Sequence, residues 1–157
     1  MTKEHDYPNI NKYIHPPLVA LFYIVLAYLL GWFVHIPLLV PAFLKNIGFA
    51  LVVIGFLLGL AAFNEFRKAR TTLDPHGSTS QLITSGIYRF TRNPIYLGFL
   101  LMIIGLPLNS GLYWGVVMAP LYVVMLNRLV IEREESYLAK KFKDAYTGYT
   151  SRVRRWL

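Results

Sequence analysis

Two short stretches of the chain hold the residue types from which a reactive site can be built. The first is Gly86-Ile87-Tyr88-Arg89-Phe90-Thr91-Arg92-Asn93-Pro94-Ile95-Tyr96-Leu97-Gly98, which sets arginines and tyrosines around an Asn-Pro pair. Asn can cap the free backbone N–H groups of a helix and Pro fits the first helical position, so the pair predicts a helix starting at Pro94. The N–H groups and positive dipole end of such a helix can hold an anion, for instance a carboxylate. The plainer alternative is a capped helix flanked by interfacial Arg and Tyr anchors. The second stretch is Glu132-Arg133-Glu134-Glu135. On a regular helix Arg128, Glu132 and Glu135 share one face, while Glu134 points about 100° away from Glu135. Such carboxylates can grip a cation or accept hydrogen bonds from sugar hydroxyls, or they can simply form ion pairs on a solvated helix. His76, in Thr71-Thr72-Leu73-Asp74-Pro75-His76, titrates near neutral pH and is a candidate acid or base, against the ordinary reading of an incidental surface histidine.

Other chemistries find no support. The chain has no cysteine, which excludes disulfides, thiolate metal sites and Cys nucleophiles. HExxH, GxSxG, P-loop and GxGxxG patterns are absent, and His5, His15 and His35 have no partners at metal-ligand spacing, so no metal is expected.

The elements that must position these residues are apolar helices. Of the 157 residues 55% are hydrophobic and only 15% are charged, well below the usual quarter. No Asp, Glu, Lys or Arg occurs between Lys12 and Lys45, between Lys45 and Glu65, or between Arg92 and Arg128. A bilayer core of about 30 Å takes about 20 apolar residues to span. The first span is predicted from Pro17 to Val34. The polar segment before it, and the lack of a small-residue cleavage site after it, argue against a cleaved signal peptide. His35-Ile36-Pro37 and Pro41 mark a turn, and a second span follows from about Ala42 to Asn64. It carries Gly48, Gly55, Gly59 and Ala62, with a GxxxG pair at Gly55 and Gly59 suited to close helix packing. The apolar stretch Pro94–Asn127 is broken by Leu106-Pro107-Leu108-Asn109-Ser110-Gly111, which reads as the turn of a helical hairpin with two short arms. An amphipathic segment follows Asn127. The expected architecture is therefore an all-α, polytopic membrane bundle of about four transmembrane helices, including the short hairpin, with a cytoplasmic C-terminal helical segment. It forms a single domain over 1–157, with two N-terminal spans in 1–66 and a cofactor-binding and catalytic core in 67–157.

The net charge of +8 sits beside the apolar runs, which makes anionic headgroups rather than nucleic acid the natural partner. Thirteen of the sixteen Lys and Arg lie in 65–93 and 128–157. Four crossings put both blocks on one side, with the N-terminus, and the positive-inside rule makes that side cytoplasmic.

The ordered set Gly86-x-Tyr88, Arg92-Asn93-Pro94-x-Tyr96-x-Gly98 and Glu134-Glu135-x-x-Leu138 resembles the integral-membrane methyltransferases of the isoprenylcysteine carboxyl methyltransferase and phospholipid methyltransferase group. The ending Phe142-x-x-x-Tyr146-x-x-Tyr149-x-x-x-Val153-x-Arg155 also looks like that family's C-terminal pattern. The resemblance covers roughly residues 70–157. It implies S-adenosylmethionine as methyl donor, a cytoplasmic cofactor pocket closed by the C-terminal segment, and a lipophilic or prenylated acceptor entering from the bilayer. It implies cofactor binding by Tyr88, Arg92, Asn93, Pro94, Tyr96, Gly98, Glu134 and Glu135. Arg92, Glu134, Glu135 and His76 are the candidates for a catalytic part. Eukaryotic relatives carry His-Pro where this chain has Asn93-Pro94, and Asn cannot take up a proton there. Two other readings remain at this point. One is an NADPH-dependent membrane reductase of the sterol reductase type, with Arg67-Lys68-x-Arg70 and Arg152-x-Arg154-Arg155 facing a cofactor phosphate. The other is a small non-enzymatic membrane module. Oligomeric state is left open.

Overall fold

The structure, a computed structural model, describes residues 8, 14–34, 36–70 and 79–157. Its elements are helices: α1 Pro16–Phe33, α2 Ala42–Ala69, α3 Pro94–Asn109, α4 Trp114–Leu126 and α5 Glu132–Thr150. A 3₁₀ turn, Gly86–Arg89, precedes α3, and a π-helical turn, Asn127–Ile131, joins α4 to α5. Among the described residues, three helices are long and apolar enough to cross a membrane: α1, α2 and the continuous helix that begins at Trp114. The apolar part of this last helix ends at Ile131, and the charged part, Glu132 onward, lies beyond it. The apolar α3 has 16 residues, about 24 Å at 1.5 Å per residue. Large side chains on the outside of the bundle are exposed, Trp32 at 85% and Phe43 at 62%, as lipid-facing surface demands.

The first two spans begin and end close to where the apolar runs place them. Helix α2, however, runs five residues past Asn64, so Glu65, Arg67 and Lys68 are helical. The hairpin turn is shorter than the predicted Leu106–Gly111 and keeps only its last two residues. Helix α3 continues through Pro107 to Asn109, because a Pro in the last turn forfeits one hydrogen bond without ending the helix. The chain reverses at Ser110 and Gly111, the latter at φ +87°. The second arm does not stop at Asn127 but runs on into α5 through the π turn.

Packing of α2 on α3 is the most extensive helix contact, and glycines make it possible. A Cβ on Gly55 would lie 2.6 Å from the Gly98 carbonyl oxygen, and one on Gly48 would lie 2.8 Å from that of Gly105. The predicted Gly55–Gly59 pair is therefore corrected. A Cβ on Gly59 would meet nothing within 4 Å, and the buried stripe on α2 is Gly48, Gly55 and Ala62. That seven-residue repeat keeps one seam on a neighbouring helix.

The core packs α1 against α4 and the π turn, with Tyr23, Ala27, Tyr122, Leu126 and Ile131 buried in one cluster. At one end of the bundle the two turns meet: Trp114 Nε1 donates to the Val34 carbonyl at 2.9 Å and the Tyr113 hydroxyl to that of Leu39 at 3.3 Å. The opposite end holds the polar site.

Candidate functional site

A cavity opens at the end of the bundle where the C-terminus of α2, the 3₁₀ turn, the start of α3 and helix α5 converge. Phe66, Tyr88, Arg92, Tyr96, Glu134 and Tyr146 are among its lining residues. Each element has a local reason to end there. Helix α2 ends at Arg70 in the left-handed conformation, φ 50°. Helix α3 starts at Pro94 as predicted, but Asn93 does not cap it through its side chain. Its Nδ2 donates instead to the Arg155 carbonyl at 2.9 Å, and the Asn93 N–H is taken by Thr91 Oγ1 at 3.2 Å. The Asn93 amide is thus turned to the C-terminal segment rather than back onto the first turn of α3.

The adjacent carboxylates are used differently. Glu135 accepts two bonds from Arg155, from Nε at 3.0 Å and Nη2 at 2.6 Å, a two-pronged pairing that fits the guanidinium fork. Arg92 Nη1 lies 3.3 Å from the same carboxylate and donates to the Tyr146 hydroxyl at 3.4 Å. Its buried Nε has no partner. Glu134 accepts from the Tyr96 hydroxyl at 2.7 Å, and among the described residues it makes no ion pair. The π turn lies just before both acids. Its wider winding shifts their register relative to α4, so Arg128 and Glu135 do not share the one face that regular helical spacing predicts. Arg128 and Glu132 are exposed.

Burial pushes the Glu134 carboxyl up to about 7; the Tyr96 hydrogen bond pulls it back and the Glu135 charge pushes it further up. The Tyr88 phenol is raised by burial and by the charges of its neighbours. Burial also raises the Tyr146 and Tyr149 phenols. At neutral pH these hydroxyls remain donors. The Glu135 hydrogen bonds raise Arg155 further above its ordinary value.

The last residues close the site. Helix α5 changes direction at Lys143, φ 44°, and beyond it Tyr146, Tyr149 and Val153 form a small buried cluster. The Tyr149 hydroxyl donates to the Tyr88 carbonyl at 2.7 Å. The Arg92 N–H donates to the Arg154 carbonyl at 3.0 Å, and Trp156 Nε1 donates to Asn127 Oδ1 at 3.2 Å.

Of the candidate residues, Tyr88, Arg92, Asn93, Tyr96, Glu134 and Glu135 line the cavity together. Pro94 is fully buried at the helix start, and Gly98 backs onto Gly55; neither is among the lining residues. His76 lies outside the described residues. Sequence reasoning left out Arg155, Tyr146 and Tyr149 as site residues, although the aromatic and basic spacing of the C-terminal pattern carried the signal. It also passed over Glu65. No group of three or more metal-ligating side chains occurs among the described residues.

A multi-pass helical bundle with a polar cavity at one end of its apolar helices, lined by carboxylate, guanidinium and phenol groups, is the architecture of an integral-membrane protein with a polar site beside the bilayer. Comparison with known proteins makes this specific. The family model described as phospholipid methyltransferase matches residues 44–145, and the chain belongs to that family. Membership of that family favours the methyl-transfer reading over the reductase and module alternatives. An uncharacterized protein of Haemophilus influenzae is 41% identical over 66 residues, 40% of this chain and all of that protein. Protein-S-isoprenylcysteine O-methyltransferase of Schizosaccharomyces pombe is 32% identical over 46% of this chain and 30% of its own length. Protein-S-isoprenylcysteine O-methyltransferase B of Arabidopsis thaliana is 28% identical over 70% of this chain and 57% of its length. The chain therefore spans less than two thirds of both curated methyltransferases. No solved structure matches it.

Proposed function

We propose that the chain transfers a methyl group from S-adenosylmethionine, bound in the cavity beneath α5, to a lipophilic acceptor reached from the bilayer, an isoprenyl-cysteine-like or other lipid-like molecule. The observation that carries this reading is the split of the acids: Glu135 is consumed by arginines, while Glu134 faces the cavity with only a phenol as partner.

The residues present fit a ligand that is both cationic and carboxylate-bearing. Arg92 has a buried Nε with no partner, and a guanidinium suits a carboxylate. Glu134 suits an ammonium group or ribose hydroxyls, and the faces of Tyr88 and Tyr96 suit a sulfonium cation. When bound, S-adenosylmethionine supplies an electrophilic methyl carbon. The chain's part is mostly orientation and exclusion of water, which is what an in-line displacement needs from a protein. Tyr146, Tyr149 and the tail cover the cavity. A carboxylate acceptor is already ionised and needs no base. An amine acceptor must first lose a proton, and Glu134, at about 7, is poised to hold it.

The topology we favour has four crossings, with α3 as the fourth, and both ends on the cytoplasmic side. The basic blocks at the cavity end and the uncharged turns at the other support it. Calorimetric titration of purified protein with S-adenosylmethionine and with NADPH tests the donor, and mass spectrometry of a lipid extract incubated with enzyme and donor tests the acceptor. Binding of NADPH alone, or no methyl gain in any lipid, would reject the proposal.

A further inference from the structure

Glu65 lies in the half of the chain that the site motifs do not reach, and it is not among the lining residues of the cavity. Among the described residues it is nevertheless the only charged one in the buried class, 7% exposed. A buried carboxylate persists only when its lone pairs are satisfied. Here Ser85 Oγ donates to Oε2 at 2.5 Å and Lys68 Nζ donates to Oε1 at 2.7 Å. The Lys68 side chain is 63% exposed, so the inward half of the carboxylate is spent on Ser85.

What Ser85 begins is the 3₁₀ turn. Gly86 follows at φ +57°, and a Cβ there would lie 2.5 Å from Glu65 Cδ. The turn's backbone is thus seated directly on the carboxylate, and only glycine permits both the backbone angle and the approach. The next residue of α2, Phe66, meets the Tyr88 ring edge-on, with centroids 5.9 Å apart at 76°. On the far side the Tyr88 carbonyl takes the Tyr149 hydroxyl. The contacts form one line: Glu65 to the turn, the turn to Tyr88, and Tyr88 to the segment that covers the cavity.

We propose that Glu65 is a positioning residue for donor binding: it seats the Gly86–Arg89 turn so that Tyr88 presents its ring to the cavity and its carbonyl to Tyr149. This rests on the methyltransferase reading above. It also gives Gly86 its reason, since any side chain there would displace the carboxylate that holds the turn.

The test compares Glu65→Gln, Ser85→Ala and Lys68→Ala in detergent-purified protein. Two measurements are made: amide hydrogen exchange of residues 85–90 without donor, and calorimetric affinity for S-adenosylmethionine. Glu65→Gln is expected to speed exchange at 85–90 and to weaken donor affinity about tenfold, as the loss of a charge-assisted hydrogen bond implies. Ser85→Ala follows in the same direction, about threefold, and Lys68→Ala leaves both readings near wild type. With a suitable acceptor, the KM for the donor rises while kcat at saturation stays within about twofold. If Glu65→Gln does not fold, Ser85→Ala carries the comparison alone. Unchanged exchange at 85–90, or an effect of Lys68→Ala as large as that of Ser85→Ala, would overturn the proposal. Failure of the wild-type chain to bind S-adenosylmethionine would sink the donor site itself, and the donor-free exchange would still decide whether Glu65 seats the turn.

Discussion

The pairing of Glu135 with Arg155 predicts how the C-terminal segment is held and how much its release costs. Both bonds are charge-assisted, but the side chains remain 21% and 32% exposed, which places the pair between two regimes. Exposed ion pairs contribute about 0.2–1 kcal/mol, while hydrogen bonds to charged groups in protected sites contribute about 1.5–3 kcal/mol. A coupling of about 1–2 kcal/mol follows for the pair. The single substitutions should be unequal. Arg155→Met leaves Glu135 with Arg92, 3.3 Å away, and costs about 1–2 kcal/mol. Glu135→Gln leaves two guanidinium groups, one of them only 17% exposed, facing a neutral acceptor. It costs about 2–3 kcal/mol, since an unpaired, partly buried charge is worse than a lost bond. Because Val153, Arg154, Arg155 and Trp156 are also tied down by backbone and indole contacts, the loss appears as local opening rather than global unfolding. Native-state hydrogen exchange over residues 146–157, in a double-mutant cycle of Glu135→Gln and Arg155→Met, reads it directly. A coupling below about 0.3 kcal/mol, or a larger loss from Arg155→Met than from Glu135→Gln, would refute the clasp.

Other outcomes follow from the same geometry. Glu134 has a folded value of about 7, above its unfolded value of about 4.3. The free protein therefore loses stability as pH rises through that window, while affinity for the cationic donor gains about tenfold between pH 6 and 8 as the ionised fraction grows. Glu134→Gln flattens both profiles, and a pH-independent affinity in the wild type would contradict the assignment. Gly55→Ala pushes α2 off α3 and lowers thermal stability by an amount equivalent to about 1–3 kcal/mol, whereas Gly59→Ala, with open space around it, is neutral or slightly stabilising; equal effects would show that the seam is misplaced. Tyr149→Phe removes the bond to the Tyr88 carbonyl and speeds amide exchange at residues 85–90, at a cost of about 1 kcal/mol; wild-type exchange there would exclude that tie.

The sequence made the bundle legible because charge is sparse. Uninterrupted apolar runs bounded α1 and the start of α2, and Asn93-Pro94 located the start of α3 to the residue. What misled was local punctuation read without its surroundings. Pro107 looked like a turn, but near a helix end it costs little. Gly55 and Gly59 looked like a pair, whereas their relation to a second helix, which no single segment contains, selects Gly48 and Gly55. The π turn is also invisible to periodicity, since an inserted residue leaves composition unchanged while rotating everything after it. The same holds for the site. The acids and the arginines were visible as types, yet that Arg155 would be Glu135's partner depends on a tail returning across about twenty residues of helix. Glu65 read as the first residue of the polar stretch after the second span, because nothing near it in the sequence shows that Gly86 will sit on it.

The two adjacent acids divide the tasks of the cavity between them. Neighbouring residues on a helix diverge by about 100°, so Glu134 and Glu135 cannot serve one ligand equally. Binding both arginines to Glu135 holds the C-terminal segment and leaves the Arg92 Nε–H without an acceptor. Holding Glu134 against Tyr96, on a different helix, keeps the second acid directed at the cavity whatever the lid does. A closed site must admit its donor and release its product, so the lid has to open. With the division of acids seen here, opening breaks the Glu135–Arg155 contacts and leaves the Glu134–Tyr96 pair in place, so the proposed donor-binding face would survive each cycle of exchange.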